Sequence, residues 1–168
     1  MTKPKLFFVN RFYRPNESAT AQLLTDLCAT LSARDWDVHV ITSDRGNPGQ
    51  PRLARNERLD GVTIRRVWST QFGVHALIGR VIDYLSFYPG AFVELLRTVG
   101  RGDIVIVKTD PPMFVLLAVI AAKYKRARIA AWLQDLYPEV AIELGFRWLR
   151  GPLGAALIAL RNRALRAV

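Results

Sequence analysis

The chain begins with a run of apolar residues, Lys5 to Asn10 (KLFFVN), that is too short for a helix and ends in polar residues, as a buried strand does. After a loop from Arg11 to Glu17, Leu23, Leu24, Leu27 and Leu31 fall at helical spacing and predict a helix over Ala19 to Ala33. Asp37 to Ser43 (DVHVITS) then reads as a second strand. Strand, helix and strand of these lengths suggest a parallel βαβ unit. Asp44 to Asp60 mixes Gly, Pro, Asn and charge without any period, which predicts a long surface loop.

Val62 to Trp68 is again strand-like. From Val74 to Val99 a stripe of Leu77, Ile78, Val81, Ile82, Leu85, Phe92, Leu95, Leu96 and Val99 predicts helix, kinked or broken near Pro89 and Gly90. Asp103 to Val107 is an apolar strand, Phe114 to Lys125 an apolar helix with a basic end, and Arg128 to Leu133 a further strand. Two helical segments follow, Pro138 to Gly145 and Pro152 to Ala167, separated by Gly151 and Pro152. Nearly continuous apolar strands alternating with helices predict a doubly wound parallel sheet covered on both faces: a single Rossmann-like α/β domain over residues 1–168.

Composition narrows the partners. About half the residues are apolar and the formal net charge is +10, so a polyanion, an anionic membrane surface or a phosphorylated substrate is the natural complement. The arginines are spread rather than blocked, and Trp36, Trp68, Trp132 and Trp148 are dispersed, so nucleic acid is not the expected partner. The single cysteine, Cys28, rules out an intrachain disulfide and a cysteine metal cluster, and a reducing cytoplasm is the simplest home. His39 and His75 lack a second ligand at metal-like spacing; both read as structural, and no metal is expected.

Met1 to Lys5 lacks the apolar core of a signal peptide. The longest apolar run, Met113 to Ala122, is about half what a spanning helix needs. The segments Val74 to Val99 and Arg150 to Val168 combine apolar side chains with arginine, which suits an anionic membrane surface and is equally well explained by packing.

Candidate chemistry lies where strands of a parallel sheet end. In the first loop, Arg14, Asn16, Ser18 and Thr20 surround a helix N-terminus able to meet a phosphate, and Glu17 opposes that anion. An N-cap and a solvated charge are the plainer reading of Asn16, Ser18 and Arg14. The absence of GxGxxG disfavours a dinucleotide site. KTDPP sets Lys108 and Asp110 at a strand exit, as a site or as a simple ion pair. In WLQDLYPEV, Asp135 ends a strand and Glu139 follows near a helix start; such acids orient a sugar hydroxyl or act as base, or merely cap the helix.

The segments FFVNRFYRPNESATAQLLTDL, WDVHVITS, DGVTIRRV, GRVIDYLSFY, VKTDPPM and WLQDLYPEVA, in this order, resemble the acceptor domains of glycosyltransferase family 4, in particular the bacterial subgroup that builds surface polysaccharides. The resemblance runs from Leu6 to about Arg166. It implies the N-terminal half of a GT-B fold, in which this domain binds the acceptor and a second domain, with no counterpart before Val168, binds a nucleotide-sugar.

Transfer in the family is metal-independent and retains anomeric configuration. The donor is a nucleotide-sugar substrate, with no resident cofactor. The implied acceptor is a sugar or a polyprenyl-diphosphate-linked glycan at the inner face of the plasma membrane. Asp135 matches the family's acidic position and becomes the candidate for contact with the acceptor hydroxyl; Glu139 matches the second acid. Where many members carry Gly-Gly, this chain has Asn16-Glu17-Ser18-Ala19. The alternative is a stand-alone module that binds an acceptor lipid or a partner without catalysis.

Overall fold

A computed structural model describes residues 3–73, 77–143 and 145–168. His75, at the start of the predicted helical stripe, and Leu144 lie outside these residues, as does the Trp148 side chain.

Six strands form one sheet: β1 (Leu6–Val9), β2 (Val38–Ser43), β3 (Asn56–Leu59), β4 (Val62–Val67), β5 (Ile104–Lys108) and β6 (Arg128–Trp132), in the order β3-β4-β2-β1-β5-β6. All pairings are parallel except β3 with β4. The helices are α1 (Ala19–Ala33), α2 (Leu77–Thr98), α3 (Val115–Lys125), α4 (Glu139–Glu143) and α5 (Pro152–Leu165), with a 3-10 turn at Arg147–Arg150. The architecture is Rossmann-like α/β.

The two faces follow from the two-residue period of a strand. Leu6 and Phe8 of β1, with Val38, Val40, Val62 and Ile64, pack against α1 through Leu24 and Cys28. Phe7 and Val9, with Ile41, Val67, Val105 and Val107, face the other way onto Phe87, Ala91 and Leu95 of α2 and Phe114, Ala118 and Ala122 around α3. Phe7 and Phe8 are essentially fully buried, each stabilising the fold by roughly 2–3 kcal/mol. In α1 the buried positions Ala21, Leu24 and Cys28 stand three and four residues apart, one face of a helix.

Two expectations are corrected. The segment Asp44 to Asp60 is not loop throughout: it ends in β3, which makes an antiparallel hairpin with β4. Its turn is Asp60-Gly61, with φ of 51° and 77°, the left-handed pair that a two-residue hairpin turn demands. β3 escapes periodicity because it is an edge strand of sequence NERL with no buried position. Of the kink or break expected near Pro89 and Gly90, the break is absent: α2 runs through Pro89 without interruption. Phe87, Ala91 and Leu95 anchor it on both sides of the proline, and the lone hydrogen bond that proline removes is outweighed by this burial.

Candidate functional site

The chain winds from β1 outward through β2 and β4, and then restarts at β5 on the other side of β1. The order therefore reverses between β1 and β5, and a crevice opens beyond their carboxyl ends, where open α/β sheets bind ligands. Two loops form it, residues 10–18 after β1 and 109–114 after β5. They are tied where the Arg11 N–H donates to the Asp110 carbonyl at 3.0 Å. The first turns of α2 supply a third wall.

Arg11 and Asp83 form a buried ion pair, Nη2 to Oδ2 3.1 Å, with side chains 6% and 2% exposed. Asp83 also accepts from the Thr70 hydroxyl at 2.7 Å and from the backbone N–H groups of Phe72 and Gly73 at 2.8 and 2.9 Å. Burial alone would raise its pKa, but these donors and the Arg11 charge outweigh that and hold the carboxyl below its ordinary value. Arg11 is further packed against the rings of Phe12 and Tyr84, 4.8 and 5.4 Å from their centroids. The guanidinium is thus fixed in place beneath the crevice rather than free to follow a ligand.

Asp110 behaves oppositely. The residue as a whole is half-buried, but its Oδ1 is sealed from solvent and accepts no hydrogen bond. Burial raises its pKa to about 6, against the lowering influence of Arg11, Lys108 and the Tyr84 hydroxyl, with the Asp135 charge adding to the rise. Asn10, at the end of β1, is also wholly buried; its Nδ2 donates to the Phe12 carbonyl at 2.5 Å, while its Oδ1 likewise has no donor. Two buried acceptors without donors at the strand switch each cost about 1–3 kcal/mol until a donor reaches them.

A polar cleft of about 350 Å³ adjoins this cluster, lined among others by Arg11, Asn16, Ser18, Arg80, Asp83 and Tyr84. On the other side of Arg80 and Tyr84, which line both, is an apolar groove of about 380 Å³ walled by Val81, Leu85, Tyr88, Met113, Pro138 and Leu157. The Tyr88 hydroxyl donates to the Pro112 carbonyl and closes one side of the groove. Ile78, Val81, Ile82 and Leu85 leave the outer face of α2 apolar and exposed.

The structure distributes the sequence candidates unevenly. Asn16 and Ser18 line the polar cleft, and the Asn16 Oδ1 accepts the Ser18 N–H at 3.0 Å. Ser18 is the N-cap of α1 without a side-chain cap bond; its hydroxyl lies 3.3 Å from that of Thr20. Glu17 is exposed. Arg14 turns away to pair with Asp60 at 2.7 Å, both side chains about half exposed. Asp135 is exposed, with its N–H 3.4 Å from the Thr109 hydroxyl, and its charge reaches Asp110.

Lys108 and Glu139 are not brought into the crevice. The Lys108 side chain is buried under α1; its ammonium donates to the Thr20 carbonyl at 3.1 Å and lies 4.2 Å from the Trp132 ring centroid, rather than pairing with Asp110. Glu139 is clamped by both guanidinium nitrogens of Arg161, which also donates to the Tyr137 carbonyl at 2.8 Å and so fastens α5 to the start of α4. That hydrogen bonding holds the Glu139 pKa below its ordinary value.

Arg80, Asp83 and Tyr84 lie outside the strand-end loops, on one face of α2. The only local signal is a carboxylate inside an apolar helical stripe, in the segment GRVIDYLSFY.

Among the described residues, no group of three or more His, Cys, Asp or Glu side chains is arranged to hold a metal ion. No described helix is long and apolar enough to cross a membrane. Comparison with family models, with curated proteins and with solved structures returns no match.

Proposed function

We propose that this domain is the acceptor-binding half of a GT-B glycosyltransferase that takes an amphiphilic acceptor, a sugar carried on a polyprenyl diphosphate. The observation that carries the proposal is the junction of two unlike cavities at Arg80 and Tyr84: a polar cleft floored by a fixed Arg11 and an apolar groove able to take an isoprenoid chain. A diphosphate bridging sugar and lipid belongs at that junction, beside Arg80. The exposed apolar face of α2 and the net charge of +10 suit an anionic membrane surface holding such a lipid.

In this reading Asp110 and Asn10 lie beneath the loops that meet the acceptor sugar, and their sealed, unpartnered oxygens accept from a sugar hydroxyl only once those loops part. With the loops parted, the Asp110 carboxyl is placed to take the proton of the attacking hydroxyl. Asp135, exposed nearby, orients a second hydroxyl, and its charge adds to the rise in the Asp110 pKa that burial causes. Charge on the departing nucleoside diphosphate is stabilised by groups of a facing donor domain, so transfer requires both halves.

The test is titration of the ¹⁵N-labelled chain with a short-chain prenyl-diphosphate-linked sugar. Saturable shifts at Arg11, Asp83, Tyr84 and Asp110, lost in Arg80→Ala, are expected. Binding of a free nucleotide-sugar at these residues, with none of the prenyl-linked sugar, would reverse the assignment. Addition of a donor domain and nucleotide-sugar then separates an enzyme half, which yields product, from a binding module, which yields none.

A further inference from the structure

A second cleft, of about 500 Å³, lies on the α2 side of the sheet but toward the opposite end of β1 and β2 from the crevice. It is lined by Lys5 before β1, Phe7, His39 of β2, Arg55 and Asn56 at the start of β3, Arg65 of β4, and Glu94, Arg97 and Thr98 in the last turns of α2. Register explains the convergence. Phe7 pairs with His39, Ile41 with Arg65, and Arg65 with Asn56, so these side chains emerge on the face that the end of α2 only partly covers.

The charge of this cleft is unbalanced. Glu94 is spoken for by Arg65, Oε1 to Nη1 3.2 Å. The side chains of Lys5, Arg55 and Arg97 form no hydrogen bond or ion pair among the described residues, although all line the same cavity. Arg97 has an ordinary role opposite the helix dipole, but Lys5 and Arg55 have no such excuse to converge on it.

Deeper in, the buried Nε of Arg65 and Nδ1 of His39 have no hydrogen-bond partner among the described residues. The His39 side chain is only 9% exposed and stacks on Phe7, with ring centroids 4.7 Å apart; its Nε2 lies 2.9 Å from the Asp37 Oδ1. Burial, and then the charges of Lys5 and Arg65 against that of Asp37, lower the His39 pKa, as expected beneath a positive field.

We propose that this cleft is a second ligand site, for a small phosphate-bearing anion, separate in place from the acceptor crevice. Lys5, Arg55 and Arg97 surround the phosphate oxygens at the mouth, and the Arg65 guanidinium and the His39 ring, which takes up a proton as the anion binds, line the floor. The size of the cavity suits a compact phosphorylated molecule, and the site does not depend on the transferase reading, since it shares no lining residue with the acceptor clefts.

The test uses inorganic pyrophosphate as probe, at constant ionic strength, followed by NMR. Saturable shifts at Phe7, His39, Arg65 and Thr98 are expected. So is an upward move of the His39 pKa by half a unit or more on the order of a bound anion's influence, read against its facing groups Lys5, Asp37, Arg65, Glu94 and Arg97.

Lys5→Ala with Arg97→Ala, both exposed and so harmless to folding by circular dichroism, should weaken binding by about tenfold or more, and Arg97→Lys should restore most of it. Arg80→Ala at the acceptor clefts should leave it unchanged. Linear, unsaturable shifts scattered over the surface arginines, or binding that survives the double substitution and disappears in Arg80→Ala, would overturn the proposal.

Discussion

Replacing Asp110 by Asn keeps the shape of the side chain and removes its ionisation, so the consequence can be worked out from the carboxyl's surroundings. Below its ordinary pKa of 3.8 the folded and unfolded chains both carry the proton, and Asp110 adds nothing to the pH dependence. As pH rises from there toward about 6, the unfolded chain has released the proton and the folded one still holds it, so stability falls. Above about 6 the folded state carries a charge sealed among Arg11, Lys108, Tyr84 and Asp135, and no further change follows. The interval from 3.8 to about 6, at about 1.4 kcal/mol per pH unit, amounts to about 3 kcal/mol.

Roughly 2 kcal/mol of that should fall between about pH 4.5 and pH 8. Urea unfolding of both proteins at a series of pH values is the assay: Asp110→Asn gains on the wild type by about 2 kcal/mol across this range, with the change concentrated below about pH 6.5. A stability difference that stays constant to within about 0.5 kcal/mol would refute the argument, because a carboxyl with no pKa change on folding has no such linkage. Gain of stability together with loss of acceptor binding would mark Asp110 as a residue kept for function at the expense of the fold.

Gly79→Ala introduces a Cβ 2.5 Å from the Phe72 carbonyl oxygen and 3.0 Å from the Gly73 nitrogen, so it should push away the loop whose N–H groups hold Asp83. A loss of about 1–3 kcal/mol in urea unfolding, with weaker acceptor binding, is expected; wild-type behaviour in both would show the loop to be freely adjustable. Arg161→Ala removes the clamp on Glu139 and the Tyr137 carbonyl and should cost about 1–2 kcal/mol, since the Glu139 carboxylate is partly open to water, seen as a lowered urea midpoint. A change below about 0.5 kcal/mol would make the clamp a surface ion pair in effect. Burial pushes the Cys28 thiol up to about 12, so alkylation by iodoacetamide at neutral pH should await unfolding; rapid labelling of the folded chain would contradict its placement.

What the sequence alone determined is the part of the structure that local pattern encodes. Short apolar runs such as LFFV and IVIV, bounded by polar residues, read as buried strands, and the leucines of Ala19–Ala33 repeat with the helical period. Together these dictate a parallel sheet layered by helices. They also locate the strand-end loops, and Asn16, Ser18, Asp110 and Asp135 come to lie in or beside the crevice there.

The tertiary structure decided which side chains in those loops face a ligand, because that depends on partners far away in sequence. Lys108 is drawn under α1 by the Thr20 carbonyl, 88 residues away, and Arg161 takes Glu139 from 22 residues away. Arg11 finds Asp83 on α2, a residue that looks locally like one polar position in an apolar stripe. The continuity of α2 through Pro89 and the pairing of β3 are likewise set by packing against β4 and by its register, terms that no local window contains. Burial and charge at a point in space are sums over the whole fold, and for that reason the unpartnered oxygens of Asn10 and Asp110, and the cations gathered over His39, become visible only once the strands are side by side.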